Sequence, residues 1–438
     1  MQKIPVIGFV SLGCAKNLVD TERLSSALVA MGYKTDPDYS NCDLVIVNTC
    51  GFITPAVEES LDAINEALSN TGKVIVTGCL GTRTDLIYKR CPKVTAVIGP
   101  GKRASVIRAV EKAVGRPPEE ARQTLPSSGI LLTPSHYAYL KIAEGCRHRC
   151  SFCIIPKLRG PLRSRDEESI LKEAYDLASR GVRELLVIAQ DSSDYGFDLN
   201  PRKNLSGLLK KLSAVGPWVR VHYVYPSNEA DAAVELMGQG LILPYLDVPL
   251  QHVNSEILRN MRRPGGLEKA SAQIARWRGL CPDLSLRSTF ITGFPGESEA
   301  QFEELLSFLR EIKLDRVGCF PYSDVDGADA NTLSHPVDPE IREERAERLM
   351  QEQAKISYEK LAARVGKEYE VIVDYVGENN DAVGRTKYEA PDVDGIVAVQ
   401  NAQGVRVGDI IRVEIVDHDE HDCDGIMKGR TDAPIRFK

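Results

Sequence analysis

Three cysteines, Cys146, Cys150 and Cys153, fall within a span of eight residues. A thiol with an ordinary pKa of about 8.5 binds metal only as the thiolate, so crowding of this kind signals a metal ion or iron-sulfur cluster that draws off the protons. Four protein ligands would close a zinc site or a [4Fe-4S] cluster, whereas three leave a position open to an exogenous ligand, which is a provision for chemistry. A zinc loop completed by a ligand elsewhere in the chain is the alternative. His148 lies inside the loop and is read as a solvated side chain rather than a ligand.

A second set is dispersed. Cys14, Cys50 and Cys79 each lie just beyond an apolar, β-branched run, at 4–10, 44–48 and 74–77, that reads as a strand. In an open parallel sheet the loops after the strands share one edge, where ligands bind, so these distant residues are expected to converge there as a second three-cysteine site. Helical spacing over 18–31, ending at Gly32, and over 57–68, with a fourth strand at 94–98, completes the α/β pattern. Cys42 and Cys91 lack this placement and read as ordinary free cysteines.

Around these sites the chain of 438 residues is long enough for about three domains. Hydrophobic residues make up 43% and charged residues 27%, a globular balance with no apolar run long enough to span a bilayer. The first ten residues read as a buried strand, not a signal peptide. Eleven cysteines without an export signal argue for a reduced, cytoplasmic protein that uses thiols for metal or redox chemistry.

Residues 115–136 are rich in Pro, Gly and Ser and read as a linker, so the first domain is expected over 1–130 as an open parallel α/β unit. A strand at 137–143 then delivers the chain into the cysteine loop. Five further strands are expected at 184–189, 219–224, 244–248, 284–291 and 316–320, separated by helices at 167–179, 204–214, 228–237, 267–280 and 299–312. Six β-α units in series suggest a partial parallel (β/α)6 barrel with its active groups at the carboxyl end, the alternative being a doubly wound open sheet. A loop at 322–339 and a long charged helix at 340–365 close this second domain, 131–365. Over 366–438 short alternating runs broken by Gly and Asn read as a small antiparallel β-barrel.

The Cys-x3-Cys-x2-Cys spacing, with Phe152 before the last cysteine, resembles that of the radical S-adenosylmethionine enzymes. The order of domains resembles the methylthiotransferases among them, whose C-terminal barrel is a TRAM domain. The resemblance covers almost the whole chain. It rests on Ser-Leu-Gly-Cys-Ala-Lys-Asn-Leu-Val-Asp at 11–20, Asn-Thr-Cys-Gly-Phe at 48–52, Gly-Cys-Leu at 78–80, Ile-Pro-Lys-Leu-Arg-Gly-Pro-Leu-Arg-Ser-Arg at 155–165, Val-Pro-Leu-Gln-His at 248–252 and Phe-Ile-Thr-Gly-Phe-Pro-Gly-Glu at 290–297. It implies two [4Fe-4S] clusters: one on Cys146, Cys150 and Cys153 whose open iron takes S-adenosylmethionine, and one on Cys14, Cys50 and Cys79 that carries or supplies sulfur. An unactivated C-H bond offers no acidic proton, so the family opens it with a 5'-deoxyadenosyl radical. A cluster potential of about -400 mV or below implies an external reductant such as a flavodoxin. By position and analogy, Gln190 and Asp191 after the second core strand, and Gly293, Gly296 and Glu297 after the fifth, are placed to contact S-adenosylmethionine. Arg159, Arg163 and Arg165 suit either anion binding or bracing of the cluster loop. No catalytic side chain is assigned.

Methylthiotransferases act on an adenosine in transfer RNA or on an aspartate of a small-subunit ribosomal protein. The stretch after Cys14 and the Cys79-Leu80 pair resemble the protein-modifying branch, where the transfer-RNA branch has glutamine or methionine near the first cysteine. Residues 367–438 carry 16 acidic against 9 basic residues, a net charge of -7. That suits a basic protein partner, possibly met on the ribosome, better than RNA phosphates, so nucleic acid is not the expected acceptor. The tract at 417–424 reads as an acidic surface loop. The first reading is thus an aspartate β-carbon methylthiotransferase. The transfer-RNA enzyme is the alternative, and a non-catalytic iron-sulfur scaffold is a third. If the two cysteine sets divide the labour, Cys150→Ala abolishes S-adenosylmethionine cleavage while Cys50→Ala spares cleavage and stops sulfur insertion. Yields of 5'-deoxyadenosine and methylthio product measure this, and equal loss of cleavage in both variants would refute it.

Overall fold

The computed structural model describes residues 3–431, so the ends of the expected first and third domains, 1–2 and 432–438, lie outside it. The first unit is a five-stranded parallel sheet of β1 (Val6–Ser11), β2 (Lys34–Thr35), β3 (Leu44–Thr49), β4 (Val74–Gly78) and β5 (Ala96–Val97), in the spatial order β2-β1-β3-β4-β5. β3 and β4 are buried at every position, which is why they read as unbroken apolar runs: helices cover both faces of a parallel sheet. In this doubly wound order the winding reverses between β1 and β3, which opens the usual ligand crevice at their carboxyl ends. β2 is an edge strand of two exposed residues, too short to leave a periodic signal. The cysteine-bearing loops therefore follow β1, β3 and β4 and not the first three strands.

The second unit contains β6 (Tyr137–Lys141), β7 (Ala143–Glu144), β8 (Arg163–Ser164), β9 (Glu184–Ile188), β10 (Trp218–Val221), β11 (Tyr245–Asp247), β12 (Ser285–Thr292) and β13 (Arg316–Pro321). Six of these form an all-parallel sheet in the order β6-β9-β10-β11-β12-β13. Each new strand is added on the same side. With right-handed crossovers this winding puts every helix on one face, so the sheet is a singly wound partial barrel and not the doubly wound alternative. Helices such as Glu167–Ser179 and Glu299–Ile312 pack Ile170, Leu177, Phe302 and Leu309 against Leu185, Val187 and Leu286 of the strands. β7 and β8 form a short antiparallel ribbon that frames the Cys146 loop.

The third unit is a closed barrel, β14 (Glu368–Val376), β15 (Ala382–Thr386), β16 (Val397–Gln400), β17 (Ile410–His418) and β18 (Cys423–Arg430), in the order β14-β15-β16-β18-β17. The expectation of an antiparallel barrel is corrected at one place, since β16 and β18 are parallel. Five strands cannot alternate direction around a closed ring, so at least one adjacent pair must run parallel. The alternating apolar residues Val371, Val373, Val397, Val399, Val413 and Ile415 fill the interior.

This barrel closes the amino-terminal end of the partial barrel through buried charge. Glu184 at the start of β9, with 0% exposure, accepts from Arg220 at 2.7 Å and from Arg385 of the third unit at 2.8 Å. Arg385 also binds Asp374, whose carboxylate meets His136 Nε2 at 2.7 Å. Asp394 accepts from Tyr245 and Arg287, and Asp392 from Tyr137 and Tyr139. Part of the acidity assigned from sequence to a partner-binding surface is therefore spent internally, at Asp374, Glu389, Asp392 and Asp394. Glu389 shows the strength of this seam. Burial opposes its charge, but Arg364, at 2.6 Å, and Arg316 hold its carboxyl down to about 2. A carboxyl depressed in the folded state contributes stability that is complete above its unfolded pKa of ~4.3 and is lost as pH falls through the folded value. We expect a contribution of roughly 3 kcal/mol, about half of it lost by pH 3. Urea denaturation across pH 7 to 3 should show this decline, and Glu389→Gln should lower neutral stability and remove that share of the acid dependence.

Candidate iron-sulfur active site

The dispersed cysteines converge as expected. Cys14 caps the amino end of helix Ala15–Ala30, Cys50 follows β3, and Cys79 opens the one-turn helix Cys79–Thr82 after β4. Glycine permits the approach. Gly13, at φ +88°, lies so near Cys50 that a Cβ there would stand 2.9 Å from the Cys50 Cβ. At Gly78, φ +89°, a Cβ would meet the Asn48 side chain at 2.3 Å. Asn17, 1% exposed, ties the loops together: its Nδ2 donates to Leu12 O at 2.8 Å and Thr49 O at 3.1 Å, while Asn48 Nδ2 donates to Asn17 O at 2.8 Å. Burial raises the Cys50 and Cys79 thiols. At Cys14 desolvation also opposes ionisation, but Lys16, the Asn17 backbone N-H and Arg159 outweigh it and draw this thiol below its ordinary value. Its position at a helix amino end favours the thiolate for the same reason.

On the facing side, Cys146, Cys150 and Cys153 follow β7, at the carboxyl end of β6. The loop is fixed by Cys146 N donating to Gly160 O at 3.2 Å, Ser151 N to Met261 O at 3.1 Å and Ser151 Oγ to Asn260 O at 2.7 Å. Phe152 packs with Ile257, Met261, Phe294 and Tyr322. Burial pushes Cys146 up to about 11 and Cys153 up to about 12, so these thiols ionise when a metal supplies the compensating charge. Thiolates on a single zinc ion sit about 2.3 Å from it. Among the described residues only His148, Asp191 and Asp194 bring all their ligand atoms within 4.8 Å, and neither cysteine triad does. The three thiols of each triad are a donor set that would suit an iron-sulfur cluster with one iron left open.

Arg159, in the short helix Ile155–Arg159 after Cys153, joins the two sites. Its Nε donates to Cys79 Sγ at 3.3 Å, and its NH1 to Asp20 at 3.0 Å and Glu144 at 2.9 Å, while NH2 bonds Asn17 Oδ1. Lys141 pairs with the same two carboxylates. Burial works against Glu144, yet Lys141 and Arg159 hold it down to about 2. Of the two roles left open for the arginines, bracing describes Arg159 and also Arg165, which bonds Lys141 O and Glu173. Arg163 is exposed and lines a cavity of about 550 Å³ between the first two units.

His148 is only partly exposed and is engaged within the chain rather than free in solvent. Its Nε2 lies 2.6 Å from Asp191 and 3.3 Å from Asp194, and its ring stacks on Tyr225 at 4.1 Å. Burial lowers its pKa, but the two carboxylates raise it to about 9, so the imidazolium is itself the cation of this cluster. Asp191 Oδ1 accepts from Ser193 N and Oγ, which leaves both of its oxygens engaged within the chain. Gln190 donates to Glu144 at 2.7 Å and keeps its Oε1 buried without a partner. Glu297 is turned inward and accepts from Gly293 N at 3.1 Å and from Arg345 at 2.8 Å. Gly293 is roofed by Arg342, whereas Gly296 has open space beside it. Sequence reasoning missed Asp194, Tyr225 and Arg263. Arg263 NH1 lies 3.8 Å from Cys150 Sγ and its guanidinium covers Tyr225, on a loop that carries no motif.

Family profiles match three segments: Uncharacterized protein family UPF0004 over residues 6–99, the Radical SAM superfamily over 140–309 and the TRAM domain over 365–427. Fold and site together define a radical S-adenosylmethionine enzyme, a class that uses an iron-sulfur cluster and S-adenosylmethionine. The ribosomal protein uS12 methylthiotransferase RimO of Thermus thermophilus is 52% identical over 431 residues, 96% of this chain and 99% of that protein. The protein of the same name from Chromobacterium violaceum is 49% identical over 435 residues, 97% and 99% of the two chains. The chain belongs to the RimO family of ribosomal protein uS12 methylthiotransferases. Among solved structures, the radical S-adenosylmethionine methyltransferase TsrM from Kitasatospora setae aligns with a TM-score of 0.54 at 14% identity, covering 73% of this chain and 75% of that one, which is a likeness of fold.

Arg159 supplies the test of this geometry. Removing one partner of a buried ionic network costs roughly 3 kcal/mol. Arg159→Met should show that loss in urea denaturation of the metal-free chain and should bind less iron after reconstitution, with Arg159→Lys intermediate. Unchanged stability and iron content would refute the bracing role.

Proposed function

We propose that this chain adds a methylthio group to the β-carbon of an aspartate in ribosomal protein uS12. The observation that supports the mechanism is that Arg159, on the short helix after Cys153, donates to Cys79 Sγ of the first unit and so links the two cysteine-bearing loops. In this reading Cys146, Cys150 and Cys153 hold one [4Fe-4S] cluster and Cys14, Cys50 and Cys79 a second. Bound there, the first cluster would provide the electron for cleavage of S-adenosylmethionine and the second the sulfur for insertion. The protein's own part is positional. Asn17 and Arg159 fix the distance between the sites, and Arg263 and Tyr225 wall the Cys150 side. Gln190 offers its unpaired Oε1 to S-adenosylmethionine, Gly296 offers open backbone, and Asp191, Gly293 and Glu297 shape that pocket through His148 and the turn at 293–297.

The functional units are 1–130, 131–365 and 366–438, and the setting is cytoplasmic, with an external donor such as a flavodoxin supplying electrons and the acceptor met free or on the ribosome. No helix among the described residues is long and apolar enough to cross a membrane. The paired assay decides the acceptor. Reconstituted protein with reductant, sulfide and S-adenosylmethionine should add a methylthio mass to a peptide carrying the uS12 target loop and none to a transfer-RNA anticodon stem-loop. The reverse result would overturn this reading, and absence of 5'-deoxyadenosine would point to a scaffold.

A further inference from the structure

Lys16 is a buried cation that pairs with no carboxylate among the described residues. It is 8% exposed, in the first turn of helix Ala15–Ala30, where the helix dipole disfavours positive charge. The charged or ionisable groups that face it are Tyr223, Cys14 and Arg159, none of them a carboxylate. The neighbouring buried cations of this seam, Arg159 and Lys141, are both matched with Asp20 and Glu144. The Lys16 ammonium instead rests 3.3 Å over the Tyr223 ring. Tyr223 lies just past the carboxyl end of β10 and adopts φ 57°, a backbone region that costs an aromatic residue energy, with its N-H held by Asp247 at 3.1 Å. A strained tyrosine thus presents its face to an ammonium that has only the Cys14 thiol, two residues away, as an anion partner, in the seam between the two cysteine sites. A desolvated charge is tolerated at such cost when an opposite charge arrives to pair with it.

We propose that Lys16 receives the side-chain carboxylate of the acceptor aspartate and thereby sets its β-carbon, one bond away, toward the Cys14 side of the seam. This rests on the aspartate reading of the acceptor given above. Tyr223 parks the ammonium before substrate enters, and the incoming carboxylate completes the charge balance that Arg159 and Lys141 already enjoy. The competing role for Lys16 is to offset the charge of a cluster on Cys14, Cys50 and Cys79. The two differ in what they select, since only the first distinguishes a carboxylate from an amide of the same shape.

The experiment uses full-length reconstituted protein without reductant and measures, by fluorescence anisotropy, binding of a uS12 target-loop peptide and of the same peptide with asparagine at the acceptor position. Wild type should prefer the aspartate peptide by about tenfold or more, the size of a lost charge-assisted hydrogen bond. Lys16→Met should bind both peptides at the asparagine level with iron content unchanged, and Lys16→Arg should keep the preference. Retained preference in Lys16→Met, or equal weakening of both peptides together with loss of iron, would overturn the inference in favour of the cluster role. Should Lys16→Met not fold, Lys16→Gln carries the same comparison. A wild type that methylthiolates the aspartate peptide yet binds both peptides equally overturns this inference alone. A wild type that leaves the aspartate peptide unmodified under turnover overturns the acceptor reading and this inference with it.

Discussion

The Arg159 side chain is only 2% exposed, yet its fork is bonded on every edge, to Cys79, Asp20, Glu144 and Asn17. A guanidinium taken out of water is tolerable only when its donors are satisfied, and the partners that satisfy this one come from two different folding units. The loop carrying Cys79 and the short helix behind Cys153 therefore cannot move apart without stranding a charge. That constraint, more than apolar packing, fixes where the two cysteine sites stand. The apolar contacts at the same seam set part-buried Phe52, Ile53 and Leu158 around the buried Ile154, and they add area without imposing a register.

The opposite end of the partial barrel uses the same device. An open six-stranded sheet leaves the amino ends of its strands uncovered, and Glu184, Arg220 and Arg316 lie there in the interior. The third unit supplies their complements, Arg385 and Glu389, and places Asp394 against Tyr245 and Arg287. A domain whose net charge suggests an outward-facing acidic surface is thus docked by some of that same charge. Ionic seams of this kind are directional, so they fix orientation where a greasy interface would slide.

Much of the architecture was legible in the chain. Strand-helix alternation with unbroken apolar runs announces parallel sheets, and the serial order of six units announces a singly wound barrel. The rule that loops after parallel strands share an edge brought Cys14, Cys50 and Cys79 together before any coordinates. What was hidden depended on pairings across long separations. His148 read as solvated because its partner Asp191 lies 43 positions later, and no local pattern links them. Arg159 was equally good as an anion binder until Asp20, 139 positions earlier, was seen to claim it. The parallel β16-β18 pair follows from closing an odd number of strands, a property of the ring and not of any segment within it.

The same distinction explains why Lys16 stands apart from its neighbours. Arg159 and Lys141 are built into a cross-unit network, and a network that is complete cannot recognise anything further without breaking itself. Recognition of an anionic acceptor needs a desolvated cation that no carboxylate of the chain has claimed. The stretch 14–20 supplies every part: Cys14 as the proposed cluster ligand, Asn17 and Asp20 for the seam, and Lys16 against the Tyr223 ring. Because all of them project from one helix amino end, the spacing between sulfur, brace and anion receptor is set by the first two turns of one helix. A docking motion of the larger units would then shift them together and leave the chemistry between them undisturbed.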